Sequence, residues 1–326
     1  MSEHLGIDIG QKELVMALLQ KGKLSRRTFR NDVEDFAALT KWLEKHKVQD
    51  LHVCVEATGT LWEAVALHLH EAGYQVSVIN PARIRAYAQS LMRRNKTDKL
   101  DAELIAHFSA AQQPEPWTPP PPAQRALRAL VRWLDDLQAT KTQQVNRLKS
   151  GVSSPLVQQH LCDHIAYLEA QMAEVEQQIK QVIAEDEQLS HDFALLITIK
   201  GVGFITAALF LAENIKGYRS ARALTAHAGL NPQYYKSGSS VDRPTRLSKI
   251  GSARLRKALY FPALSALRWN PCVKALGDRL KQRNRPKMVI VGAAMRKLLT
   301  LAYGVLNSGR PFDPHFATLT LAENTI

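Results

Sequence analysis

Apolar positions in the first eighty residues fall in short runs separated by turn residues, the pattern of strands in a half-buried sheet. Leu5–Ile9, Leu14–Leu19 and Leu24–Phe29 read as three strands, the last two joined by a Lys21-Gly22-Lys23 turn. Asn31 and Asp32 can cap a helix whose apolar residues Phe36, Leu39 and Leu43 keep helical spacing. Leu51–Val55 predicts a fourth strand that delivers Glu56 at its end. A helix is expected from Thr58-Gly59 to Gly73, then a fifth strand at Gln75–Ile79 closed by Asn80-Pro81. Another helix opens in the stretch Asn95–Glu103. Further on the period changes. Leu127, Leu130, Leu134, Leu137 and Leu148 mark one long helix. After a break at Gly151–Pro155, Leu161, Ile165, Leu168, Met172, Val175, Ile179 and Val182 form a heptad seam. Its spacing fits pairing within the chain as well as pairing between subunits. Residues 190–326 read as mostly helical, interrupted by a Gly-, Ser- and Pro-rich loop at Asn231–Arg246 and a basic loop at Lys281–Lys287.

The order β-β-β-α-β-α-β-α, a meander followed by right-handed crossovers, is that of a ribonuclease H-like α/β domain with a mixed five-stranded sheet. Pro114–Pro122 reads as a stiff polyproline linker. Three regions are expected: an α/β domain over 1–122, a coiled-coil helical hairpin over 123–189, and a helical domain over 190–326. In that topology the first strand, the end of the fourth and a later helix meet at one sheet edge. Asp8, Glu56 and the pair Asp98 and Asp101 occupy those three places. Thr97 or Asp98 can cap the helix, and acids in its first turn favour the positive end of its dipole.

Charge sharpens this picture. The net +13 is not evenly spread. Residues 1–122 carry 15 basic and 15 acidic side chains, whereas residues 194–326 carry 21 and 5. So the last third is the expected footprint of a polyanion, and nucleic acid is the expected partner. The three cysteines are far apart with no Cys-x-x-Cys, which argues for a reducing cytoplasm and against a structural zinc. No signal peptide and no membrane span are expected.

Four carboxylates, all hard oxygen donors, suit Mg²⁺, with Mn²⁺ as a substitute, and phosphoryl transfer. The sequence has no G-x-x-x-x-G-K-[ST] and no H-E-x-x-H. Lys200, Gly201 and Gly203 lie in a turn of helix-hairpin-helix form, whose backbone N–H groups can hold a DNA phosphate; a plain glycine helix stop reads the same way. Lys236, Arg243, Arg246 and Lys249 flank a loop rich in hydroxyls: Tyr234, Tyr235, Ser237, Ser239 and Ser240. Spacing alone does not choose a nucleophile among them.

Several motifs together resemble a known family. G-I-D-I at Gly6–Ile9, E-A-T-G at Glu56–Gly59, N-K-T-D-x-x-D-A at Asn95–Ala102 and S-G-S-S at Ser237–Ser240 are similar to those of the DEDD insertion-sequence transposases, relatives of the Piv-type DNA invertases. A-G-L-N-P at Ala228–Pro232 and A-Y-G-V-L at Ala302–Leu306 agree. The resemblance implies a RuvC-like domain, a coiled-coil insertion and a C-terminal transposase domain. It implies that Asp8, Glu56, Asp98 and Asp101 bind Mg²⁺ and that Ser237 attacks a DNA phosphodiester to form a phosphoserine link. It further implies target and donor double-stranded DNA and a structured noncoding guide RNA as partners, and a dimer or tetramer working at the nucleoid. A Holliday-junction-resolvase-like nuclease with water as nucleophile is the alternative that shares the acids.

Overall fold

Alternation along the strands decides which side of the sheet each residue serves. The structure is a computed structural model describing residues 3–92, 97–237 and 241–315. It divides into two compact units, Met1–Pro119 and Pro120–Ile326. In the first, strands β1 (Glu3–Ile9), β2 (Glu13–Gln20), β3 (Lys23–Arg30), β4 (Leu51–Glu56) and β5 (Gln75–Ile79) form one sheet of order β3-β2-β1-β4-β5. β1, β2 and β3 pair antiparallel, while β4 and β5 are parallel to β1. This is the mixed five-stranded, ribonuclease H-like order expected from the sequence.

One face of the sheet carries Leu5, Ile7, Leu14, Met16 and Val53. They pack against Phe36, Leu39 and Leu43 of α1 (Val33–Lys45) and Val65 and Leu69 of α2 (Glu63–Glu71). The other face is covered by α4 (Asp98–Gln112), which follows α3 (Pro81–Ser90). Asp32 caps α1 by accepting from the Asp35 N–H, and Asn80 caps α3. α2 begins later than expected. Gly59 takes a left-handed turn (φ 60°) and Trp62 Nε1 donates to its carbonyl, so Thr58-Gly59 forms a turn and the helix starts at Glu63. The Pro-rich stretch is docked at its start: Trp117 N–H donates to Val76 O, and its ring meets Trp62 edge-on.

In the second unit, α5 (Pro122–Lys149) and α6 (Pro155–Glu185) form an antiparallel hairpin. The seam is buried at Leu168, Val175 and Ile179 and half-buried at Leu161, Ile165, Met172 and Val182. α5 supplies Leu127, Val131, Leu134 and Leu137 to the same core, which continues without a break into the helices that follow. Those are α7 (Glu187–Ile197), α8 (Phe204–Ala212) and α9 (Ala221–His227), then α10 (Ala253–Ala258), α11 (Tyr260–Trp269), α12 (Pro271–Gln282) and α13 (Lys287–Ser308). By length and composition alone α13 is apolar enough to cross a membrane, a test that a buried core helix also passes. It serves instead as a core helix, with Ile290, Ala294, Leu298, Leu299 and Ala302 buried.

The described parts of the Asn231–Arg246 stretch, from Pro232 on, are strands and not loop. They form an antiparallel ribbon of β6 (Pro232–Ser237) and β7 (Val241–Leu247), with a register shift between Gln233 and Tyr235. Gly, Ser and Pro hid it in the sequence, and Pro244 is tolerated because, among the described residues, neither strand has a second neighbour.

Candidate active site

Three transverse rows on the α4 side of the sheet fix where the acids lie. In the first row His4 and His52 are register partners, and His4 Nδ1 lies 2.9 Å from Ser109 Oγ near the C-terminal end of α4. In the second, Gly6 is paired with Ala17 and Cys54. Here α4 lies almost on the strand: a Cβ on Gly6 would stand 2.2 Å from Ala102 O and 2.4 Å from Ala106 N. Only glycine permits that approach. The third row holds Asp8, whose partner on β2 is Val15. Ile7 pairs with Val55, so Asp8 and Glu56, the next residue of each strand, stand side by side about 4.8 Å apart.

From Ser109 to Ala106 and Ala102, α4 runs antiparallel to β1. Two residues of strand advance about 6.6 Å, and one turn of helix about 5.4 Å. The step from Gly6 to Asp8 therefore matches the step from Ala102 back to the first turn of α4, which carries Asp98 and Asp101. Thr97 is the N-cap, its hydroxyl accepting from Leu100 N–H, while Asp101 N–H donates to Thr97 O. Asp8, Glu56 and Asp101 are half-buried and Asp98 is exposed. Among the described residues no three carboxylates are close enough together to hold a metal. The fold gathers the acid-bearing elements at one end without closing their side chains on a single point. Asn95 and Lys96 of the motif lie outside the described residues.

The donor chemistry is uniform. Oxygen ligands at a helix N-terminus and two adjacent strand ends suit a hard divalent cation and no soft one. Cys54, on the same face one row back, is no rival nucleophile, since burial pushes its thiol up to about 12.

Ser237 lies in the second unit as the last residue of β6, paired with Val241; Ser239 and Ser240 are outside the described residues. Lys236 and Arg243 belong to the same ribbon, opposite Asp242 and Tyr235 respectively. Arg246 and Lys249 are exposed at the ribbon's exit, and Tyr234 is exposed on β6. The glycine turn joins α7 to α8. Gly201 (φ 103°) sits against Ala266, buried Asn270 donates to Lys200 O, and Gly203 is the exposed N-cap of α8.

Two family models match the chain, a DEDD transposase model (IS110) over residues 5–154 and a transposase model of the IS116/IS110/IS902 family over residues 193–278. A pilin gene-inverting protein of Moraxella bovis is 33% identical over 315 residues, 95% of this chain and 97% of that one. The chain belongs to the IS110-type DEDD transposases. The transposase for insertion sequence element IS1328 of Yersinia enterocolitica is 30% identical, over 60% of this chain and 65% of that one. Among solved structures, T. thermophilus RuvC in complex with a Holliday junction substrate aligns with 36% of this chain and all of its own, at 16% identity and a TM-score of 0.29. As an IS110-type transposase the chain is a DNA-recombining enzyme, and its match to a DEDD transposase family suggests a divalent metal.

Proposed function

We propose that this transposase cuts and rejoins DNA through a covalent phosphoserine link on Ser237, with Asp8, Glu56, Asp98 and Asp101 holding Mg²⁺ or Mn²⁺. The observation that carries the reading is the register of α4 over β1, because it brings two helix acids to the strand ends bearing Asp8 and Glu56. Drawing these carboxylates onto one centre would set them against one another, and a bound cation would offset that repulsion. When bound, such an ion polarises a phosphodiester and stabilises the leaving oxygen.

In the proposed step the Ser237 hydroxyl attacks phosphorus. An Oγ–P bond forms, the bond from phosphorus to one sugar oxygen breaks, and the serine proton passes to that departing oxygen. Attack by a sugar hydroxyl from another strand reverses the step, restores a diester and frees the serine. The bond energy is kept in the ester, so strand exchange proceeds without ATP. The basic ribbon residues Lys236, Arg243 and Arg246, together with Lys249 and the Lys200–Gly203 turn, are proposed as backbone phosphate contacts. A noncoding guide RNA is the proposed source of sequence choice, and an oligomer, a dimer or tetramer, the proposed working form. The basic last third suits contacts that read phosphate rather than bases.

The test is denaturing electrophoresis of the full chain incubated with labelled DNA and Mg²⁺. Wild type is expected to carry DNA label covalently, while Ser237→Ala keeps DNA binding and loses the adduct completely. An adduct that survives in Ser237→Ala overturns the assignment in favour of another hydroxyl such as Tyr234, whereas metal-dependent cleavage by the wild type with no adduct returns the water-using nuclease to the front.

A further inference from the structure

The row that bears the acids does not stop at Asp8. Asp8 pairs with Val15, and Val15 pairs with Thr28 on the edge strand β3. Glu56, Asp8, Val15 and Thr28 therefore form one line across four strands, all on the α4 side, with Thr28 about 10 Å from Asp8. Beyond Asp8 this line becomes the floor of a groove of about 600 Å³, lined by Val15, Arg26, Thr28, Thr97, Lys99 and Glu103. The first turn of α4 forms its other wall.

Its charge is arranged. Arg26, one row back and opposite Ala17, is tied through Nε to Glu103, a buried residue of α4. That bond fixes the guanidinium at the groove's inner end, and the Arg26 side chain stays half-exposed. Lys99 is exposed on the opposite wall, one residue from Asp98. The first 122 residues are neutral in total. The neutrality hides a local separation, with acids at one end of the line and cations beside the other.

We infer that this groove seats the sugar–phosphate backbone of the DNA strand being cleaved. Arg26 and Lys99 contact phosphates flanking the one presented to the acids, and Thr28 offers a hydroxyl at the floor. The inference rests on the reading of the four acids as the cleavage site. Arg26 offers a planar, pre-oriented donor for phosphate oxygens, and Lys99 a mobile point charge. Neither reads sequence, and both are positioning residues: they hold the strand along the line and perform no bond chemistry.

The experiment measures binding of the full chain to a fluorescein-labelled DNA duplex over a range of salt concentrations, without metal, so that no cleavage is needed. Lys99→Glu is expected to weaken binding several-fold and to reduce the slope of log affinity against log salt by about 1. Arg26→Gln alone would strand Glu103, so it is paired with Glu103→Gln, with an unchanged melting temperature required and a similar loss of slope expected. In a third arm a photoreactive benzoylphenylalanine replaces Thr28 and is irradiated with DNA and, separately, with RNA transcribed from the DNA flanking the gene. Crosslinks to DNA within a few nucleotides of the cleavage point support the groove. Unchanged salt slopes in both variants, or a Thr28 crosslink to RNA alone or to neither, overturn it. A surviving adduct in Ser237→Ala would remove the phosphoserine reading and leave these binding results standing, so the two can fail separately.

Discussion

The two halves of the proposed chemistry are held in opposite ways. Asp8, Glu56, Asp98 and Asp101 sit on a scaffold whose register is set by core packing: Gly6 lies under α4, Ala17, Ala102 and Ala106 cluster beside it, and Leu104, Ile105 and Phe108 pack with Cys54. Ser237 ends one strand of a ribbon that, among the described residues, has two strands only, with Tyr234 exposed. Ion ligands must keep a common centre, which a rigid sheet and helix provide. A nucleophile that stays bonded to DNA during strand exchange gains from an element tied to its core by fewer contacts.

Gly6→Ala should have the largest effect. A methyl group at 2.2 Å from a backbone carbonyl must push α4 off β1, costing at least about 3 kcal/mol of stability. It should also abolish adduct formation although it touches no acid. Thermal melting and the electrophoretic assay together check this, and a stable, active Gly6→Ala chain would show that the α4 register is not what places the acids.

A medium effect concerns pH. Burial holds the His4 and His52 imidazoles below the usual histidine range; His4 bonds Ser109 and His52 bonds Ser77, whose hydroxyl donates to the Pro114 and Glu115 carbonyls. Their folded values are depressed, so the unfolded chain takes up protons first. Their stabilisation is complete above the unfolded value near 6.5 and is lost as pH falls below it toward the folded values. The melting midpoint of the first unit should be level from about pH 8 to 7 and drop from about 6.5 to 5. His52→Gln should flatten that drop.

The smallest effects sharpen the contrast. Thr97→Ala removes the α4 cap and should cost about 1 kcal/mol, with weakened metal dependence because the first turn carries two of the acids. Tyr234→Ala, exposed on the ribbon, should change stability by less than about 0.5 kcal/mol. A large loss there would mean that the ribbon is more firmly packed than its exposure indicates.

Much of the first unit was legible because period-two runs, Gly turns and acids at strand ends coincide in the chain. The five strands and the cap region of α4 followed from local pattern. The start of α2 did not, since the left-handed turn at Gly59 is stabilised by Trp62, a contact that capping rules omit. In the second unit the heptad seam disclosed a face but not its partner, which is largely α5. The ribbon was hidden by Pro244 and the Gly-Ser segment. Residues 73 positions apart, such as Arg26 and Lys99, meet only through strand register and helix packing, so their groove leaves no local signal in the sequence.

Asp8, Glu56 and the first turn of α4 are proposed to form one cation site. Titration calorimetry of Mn²⁺ into the full chain, compared with Asp8→Asn and Asp101→Asn, tests it directly. Saturable binding by the wild type, weakened at least tenfold in each variant while both melt like the parent, is the predicted result. Equal Mn²⁺ affinity in all three proteins would contradict it.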